Sequence, residues 1–516
     1  MLTNLKQYNG EFGCDYCKHS GKLVRKENKD GTIGGEKRVF PLEIPLPKNR
    51  THEETLKEAR EAVRLSTAIN GVKGPSVLHL IPGFNIIRGM IPDYMHCVLL
   101  GVVYQFLTMW LNSPRKDYYI KNPSKIDSLL NSVKPPSNIR RAFRSIEKYL
   151  HVWKASELRT FLLFYSPVVL KLVLAPVFYN HWLLLVNAFR LLLQKSLSAT
   201  DINTAKLLIY KFIGEIPELY GEEHVNYNVH LLIHVVESVE NWGAPWASSA
   251  FLYEDAGGKL KNSFHGTRYV AKQMLCNFLA HRKLREFSCH FIPFSADDVQ
   301  DFYAKLDSPV SSIQSQTIGV AEQKIRLISK PIVNRPLNVT ERLAIERLFG
   351  KELNCKSAVR FNRIAIDGKV YCTTSYCENL KRDNSLVSLK ESTGLYVIED
   401  FVISFPECNC LISNSPATSI CEIRTSSIIN NFATFQQNPV NLSVIACDFL
   451  CVPVRAVNDA YSGLNLTHFM KRIDPSVHHY PVVSFFPKCI ANKCILIKVS
   501  EDEQIIIENN VRFELD

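Results

Sequence analysis

The sequence predicts an α+β protein of more than one domain, with a long all-helical middle and a smaller β-rich end. Three observations lead there. The chain has 516 residues, 46% of them apolar and 22% charged, which are ordinary values for folded domains and more chain than one core usually accommodates. From Asp93 to about Glu240 apolar residues recur at three- and four-residue intervals, as in Met95, Leu99, Val102, Val103, Phe106 and Trp110, the stripe of a helix buried on one face. Beyond residue 355, short runs of β-branched and aromatic residues are separated by turn residues.

Residues 1–92 are mixed and turn-rich. Gly21, Gly31, Gly34, Gly35 and the Pro41, Pro45, Pro47 series punctuate short extended pieces, and such a stretch makes a poor independent domain. One helix is expected in it. Thr51-His-Glu-Glu54 is a capping-box signature that runs on through Ala62 and Leu65 until Gly71-Val-Lys-Gly74-Pro75 stops it.

Residues 93–240 read as five to seven packed helices, with Pro135-Pro136, Pro167, Pro176 and Pro217 as breaks. Their most apolar part, Phe161 to Leu193, resembles a membrane span by composition. Lys171, His181 and Arg190 interrupt it, and Pro167 and Pro176 break it, so a buried helical core is expected and no membrane partner.

Trp242-Gly-Ala-Pro245-Trp246 opens a third region, 241–300, helical from about Ser249 to Arg285. Residues 301–352 read as linker and short helices: 306–317 has linker composition, and Thr340 to Lys351 forms a helix. In 353–516 the strand candidates are Val370-Tyr-Cys-Thr-Thr, Ser385-Leu-Val-Ser-Leu, Gly394-Leu-Tyr-Val-Ile, Leu442-Ser-Val-Ile, Cys494-Ile-Leu-Ile-Lys-Val and Gln504-Ile-Ile-Ile. A small antiparallel barrel or sandwich would hold them.

The formal charge of +11 fits a nucleic acid or another anionic surface without requiring either. Its distribution is more informative. Lys259 to Arg285 holds seven basic residues and no acidic one; a solvated face is the alternative reading of such a run. Fifteen cysteines, an odd number, follow an opening Met1-Leu-Thr-Asn-Leu-Lys6 that has no apolar run. Reduced thiols in cytosol or nucleus are therefore expected.

Four groups carry possible chemistry. Cys14-x-x-Cys17 supplies two thiolates on one tight loop, half of a tetrahedral zinc site. Cys408-x-Cys410 has a spacing less suited to zinc, so histidines are the expected partners. His230 and His234, four apart on an expected helix, project from one face and complete a Cys₂His₂ set; two unrelated features would read the same way. Asp93-Tyr-Met-His96 places a carboxylate and an imidazole at i and i+3, suiting a metal pair, an oriented acid/base pair, or simply a helix cap. Glu254 sits in the apolar frame Ala250-Phe-Leu-Tyr-Glu-Asp255-Ala, on a helix expected to continue into Lys259, Lys261, Arg268 and Lys272. A carboxylate so presented can bind a divalent metal while the basic face holds phosphates.

Taken together and in this order, these motifs resemble the CACTA (En/Spm-like) group of DDE transposases, cut-and-paste enzymes with a ribonuclease H-like core interrupted by a helical insertion. The residues that carry the resemblance are Gly13-Cys14-Asp-Tyr-Cys17, Pro92-Asp93-Tyr-Met-His96-Cys-Val-Leu-Leu-Gly101, the His230 and His234 pair, and Glu254. The catalytic subunit of the V(D)J recombinase is similar to the same plan, with zinc held by a CxxC and paired histidines. The resemblance covers roughly residues 1–290. It implies a structural zinc on Cys14, Cys17, His230 and His234, Glu254 as a catalytic metal carboxylate, DNA as partner through Lys259, Lys261, Arg268 and Lys272, and a nuclear location. A homo-oligomer is compatible with it.

In that family two catalytic aspartates precede the CxxC. Here Cys14 follows Met1 by thirteen residues, so neither aspartate is expected, and the ribonuclease H-like core is expected to be an incomplete remnant carrying a large all-α insertion. Two Mg²⁺ ions, as in an intact parent enzyme, need three carboxylates, and strand transfer is not expected of this chain alone. The expectation is a transposase-derived DNA-binding protein. Its alternatives are a non-enzymatic protein- or chromatin-binding scaffold and, more weakly, a metal-dependent hydrolase built on Asp93, His96 and Glu254 converging in an open cleft. The zinc reading requires four ligand atoms within about 4 Å of one another.

Overall fold

A computed structural model of the chain describes residues 2–27, 32–139, 141–307, 316–320, 323–328, 332, 336–350, 352, 358–390, 394–404, 442–449, 451–453, 470–473, 482–485, 489–500 and 503–509. The protein is α+β, helical first and β-rich at the C-terminal end. Cys408 and Cys410, and residues 308–315 of the expected linker, lie outside the described residues.

The N-terminal region is a two-stranded antiparallel hairpin, Lys22–Glu27 with Ile33–Val39, and the helix His52–Leu65. Thr51 caps that helix by accepting from the Glu54 N–H at 3.2 Å, and Ser66 ends it in the left-handed region. The core of this region is small, with Leu5, Ala59 and Val72 as its cluster. Arg50 compensates: its guanidinium donates to the carbonyls of Cys14, Phe12 and Asn70 at 2.8–2.9 Å and pins the cysteine loop. Gly71, at φ +84°, lies against the Phe12 carbonyl where a Cβ does not fit.

Among the described residues, seven helical segments of seven residues or more fill the central region, at the top of the five to seven expected: 95–112, 124–132, 146–152, 155–172, 176–192, 199–219 and 227–242, with one further short turn at Glu222–His224. The first opens in wide π-type turns over Met95–Val103 and is apolar enough by length and composition to cross a bilayer. It packs instead inside the body, with Val102, Phe106 and Trp110 fully buried. The expected core stretch Phe161 to Leu193 is likewise buried at Phe161, Leu163, Trp182 and Leu185. Trp110 and Trp182 meet edge to face at 5.0 Å, and Phe106 stands against Phe212 and Tyr220 at 5.3 and 5.1 Å.

His181 lies inside this aromatic cluster, stacked on Phe212 at 4.4 Å with Nε2 2.9 Å from the Phe212 carbonyl. Burial pulls its pKa down to about 4. The folded value is thus below the unfolded one, so the contribution is fully present above pH ~6.5 and is lost as pH falls toward 4, by up to about 1.4 kcal/mol per unit. His181→Phe is expected to flatten that part of the profile of melting temperature against pH. Parallel wild-type and variant curves between pH 7 and 4.5 would contradict it.

The C-terminal region contains two antiparallel sheets. One runs Cys451–Pro453, Met470–Ile473, Gln504–Glu508, Ile490–Lys498, Leu386–Leu389, Leu395–Ser404, Leu442–Phe449, Val482–Phe485, with Ala358–Phe361 also paired to Leu395–Ser404. The other joins Gln316–Val320, Gln323–Leu327, Arg363–Ile366 and Lys369–Cys372. The two share an apolar cluster, Ile325 and Ile364 from one meeting Val359, Ile398 and Phe401 from the other, as in a sandwich. All six strand candidates are strands here. The hairpin at 316–327 falls in the stretch read as linker and short helices; it is an edge pair completed by Arg363–Ile366, nearly forty residues on, which local composition does not display.

The sheet and the helices join in one core. Ile495, Ile497, Ile505 and Ile507 belong to the helical cluster, while Cys494 and Ile506, on the opposite face of the same strands, pack with Leu386 and Ile473.

Candidate functional site

Asn226 starts the helix Tyr227–Trp242: its Oδ1 accepts from the Val229 N–H at 3.1 Å while its Nδ2 donates to Gln105 at 2.6 Å. Gly101 lets the two helices close, since a Cβ there would lie 2.7 Å from Asn228 Nδ2. One turn further on, His230 and His234 emerge from the same face. They meet the Cys14–Cys17 loop that Arg50 holds.

Cys17 Sγ is 3.3 Å from His230 Nε2, Cys14 Sγ is 3.5 Å from His234 Nε2, and the two Nε2 atoms are 3.3 Å apart. All four ligand atoms lie within 4.8 Å of one another, and all four residues are buried. A tetrahedron with Zn–S near 2.3 Å and Zn–N near 2.05 Å has edges of roughly 3.3–3.8 Å; the three close pairs match it, while the outer bound of 4.8 Å is wider than that edge and than the 4 Å expected, so the set would have to close by about 1 Å at its widest around an ion. The cluster can hold a metal ion such as zinc.

The electrostatics suit that use only in part, because a ligand must be a thiolate or a neutral imidazole and a metal would have to displace the protons that Cys14 and His234 hold. Burial pushes the Cys14 thiol up, while the hydrogen bond from Cys14 holds Cys17 down, favouring one thiolate. Burial lowers His230. On His234 burial also acts downward, but the Cys14 sulfur and Glu237 outweigh it and push the imidazole up to about 9. Both its ring nitrogens are engaged, Nδ1 at 2.7 Å from Glu237, which in turn accepts from Asn49 at 3.2 Å. That is the carboxylate–histidine arrangement that orients a metal ligand. The reading of the sequence missed Glu237, although its place three residues after His234 on one helix face is a usable signal. His19, also buried nearby, is not a fifth ligand: the Gly21 N–H donates to its Nδ1 and its Nε2 faces the Pro41 carbonyl, both at 2.9 Å.

Asp93, His96 and Glu254 are brought together, but not around a common ion. One Asp93 oxygen accepts from the His96 N–H at 3.0 Å and faces His96 Nδ1 at 2.6 Å; the other accepts from the Ala250 N–H at 2.8 Å. Asp93 therefore caps the start of one helix and anchors the start of the next, Ala250–Lys261. The imidazole that it orients turns Nε2 toward Glu254 at 3.6 Å, both side chains being about 60% exposed. Two groups converge on open solvent there, fewer than a three-ligand hydrolase centre needs.

The helix bearing Glu254 ends at Lys261 instead of continuing. Asn262, Ser263 and Gly266, the last at φ +127°, form a break before Val270–His290. Lys259 and Lys261 thus stand on one helix, Arg268 in the break and Lys272 on the next helix, all four exposed. Lys259 pairs with Asp255 at 2.7 Å.

No protein-family model matches the sequence, and a search of curated proteins gives no match.

Proposed function

We propose that this chain is a transposase-derived, DNA-binding nuclear protein, in which a structural zinc on Cys14, Cys17, His230 and His234 staples the N-terminal loop to the helical body. The observation that carries this reading is the buried assembly of those four ligands across more than two hundred residues of sequence, in the order that the resemblance to the CACTA transposases implies. In this reading the hairpin Lys22–Val39 and the helices after Ala250 are what the chain holds of a ribonuclease H-like core. Glu254 would be its metal carboxylate, and the exposed cations of residues 259–272 would meet phosphates. One matched carboxylate does not hold two Mg²⁺ ions, so strand transfer is not expected of these residues alone.

Binding of a duplex of about twenty base pairs should weaken steeply with salt, log K falling with log salt by about 0.9 per phosphate contact. Lys261→Glu with Lys272→Glu is expected to lower both the affinity and that slope. Fluorescence anisotropy between 50 and 200 mM salt measures both; affinity independent of salt, or no binding, would count against DNA as the partner.

A second reading, a scaffold that binds protein or chromatin, has one observation in its favour. Leu275, Phe278, Leu279, Phe287, Phe291 and Phe294 are each 46–87% exposed, on a helix and following turn that bury no residue. A salt-insensitive complex through these side chains would favour it.

A further inference from the structure

The helical body and the C-terminal sheets leave between them a cleft with a volume of about 980 Å³. Arg141, Lys154, Arg159 and Lys195 line its helical wall, and Lys369 and Lys493 its β wall; Glu254, Asp255 and Asp367 are the acidic residues of the lining. Cations therefore outnumber carboxylates two to one, and Asp255 is already paired with Lys259.

The two walls are built rather than incidental. Arg159 is stacked over the Phe251 ring at 4.7 Å, next to Glu254 on the same helix. Opposite, Asp367 and Gly368 both take positive φ, 48° and 80°, the requirement of a two-residue hairpin turn. That turn joins strands Arg363–Ile366 and Lys369–Cys372 and sets Lys369 on the lip. Lys493, only 6% exposed, lies 5.0 Å over the Tyr371 ring with Nζ 2.9 Å from Ser137 Oγ and from Asn384 Oδ1. It ties the two walls together and places a buried positive charge behind the cleft. Arg141, Lys154 and Lys369 are exposed and, among the described residues, have no carboxylate partner.

We propose that this cleft is a track for the phosphodiester backbone of a single DNA strand, passing Glu254. The inference rests on the DNA-binding reading above but names a surface separate from the 259–272 cations. Charge complementarity selects phosphate. Size selects the single strand: the cleft sits at the top of the range of about 300–1,000 Å³ for small-ligand sites, enough for a few nucleotides and too little for a duplex.

The test uses the full chain with three probes: a fluorescent six-nucleotide single strand, the duplex, and inorganic tripolyphosphate as competitor. Lys154→Glu with Lys369→Glu, both exposed positions checked by thermal melting, should weaken single-strand binding at least tenfold and lower its salt slope by about 0.7 per lost contact. Duplex binding should change little. The Lys261→Glu, Lys272→Glu variant should show the reverse pattern. If the cleft variant binds the single strand as wild type does while the 261/272 variant loses both probes, the cleft proposal fails and the DNA reading stands. If wild type binds neither form of DNA, both fail. Displacement of the strand by tripolyphosphate at equimolar concentration would make the ligand a nucleotide polyphosphate and overturn the strand assignment.

Discussion

Stripping the metal from the Cys14, Cys17, His230 and His234 centre is expected to release the N-terminal loop from the helical body and to lower the melting temperature more than any surface substitution does. The reason lies in how little else holds that loop. Its own cluster is Leu5, Ala59 and Val72, and its other ties to the helical body include a few polar contacts, the Phe40 N–H to the Val225 carbonyl at 2.8 Å, Tyr227 to Asp15 at 3.2 Å, Asn49 to Glu237 at 3.2 Å and the Lys22–Glu222 ion pair, with aromatic contacts such as Phe40 on His230 at 5.3 Å. A metal held by these four side chains, drawn from opposite ends of a loop of more than two hundred residues, would convert its binding energy directly into folding energy. At a free metal concentration a thousandfold above Kd that contribution is about 4 kcal/mol. One zinc per chain by elemental analysis, a large drop in melting temperature with chelator, and loss of both metal and the chelator response in Cys17→Ser or His230→Ala are the expected results. Glu237→Gln should keep the fold and weaken metal affinity by about 10- to 100-fold. A chain purified without metal whose melting ignores chelator would sink the zinc assignment.

Arg360→Met is expected to destabilise the C-terminal region by about 3–5 kcal/mol, because it removes the buried cation that Glu341 and Asp400 share. Arg360 is fully buried on strand Ala358–Phe361. Its Nη1 is 2.6 Å from Asp400 on the neighbouring strand, and its Nη2 is 2.7 Å from Glu341 and 3.1 Å from the Pro336 carbonyl. Glu341 also closes the capping box that starts helix Val339–Phe349 by accepting from the Asn338 N–H at 2.9 Å, so one guanidinium locks a helix end onto two strands. The triple change Arg360→Met, Glu341→Gln, Asp400→Leu keeps the cap and removes both carboxylate charges, and should recover most of the loss. Urea denaturation midpoints decide it: a loss under about 1 kcal/mol for Arg360→Met would show that water or rearrangement satisfies the carboxylates.

Much of the fold was legible. The Thr51 cap, the central helical stripes and the six strand candidates are local signals, because capping and side-chain periodicity act within a few residues. The break after Lys261 was harder: Asn262, Ser263 and Gly266 are turn formers, but the apolar and basic residues on either side kept the helical pattern going. The hairpin at 316–327 escaped notice because its alternation is short and its partner strand is remote.

The candidate site divides the same way. Cys14-x-x-Cys17 and His230-x-x-x-His234 are each spacings that suit half of a tetrahedral site, and they named the side chains that could take part. Whether the halves met was a property of the packed chain: it depended on Gly101 admitting one helix to another, on Arg50 fixing the cysteine loop, and on Asn226 setting where the histidine helix begins. For Asp93, His96 and Glu254 the tertiary structure decided differently, spending both Asp93 oxygens on helix starts and leaving His96 and Glu254 to face each other in solvent. The cationic cleft belongs wholly to that level. Its lining comes from segments between Met95 and Asn509, and no local pattern records which distant charges a shared core will set side by side.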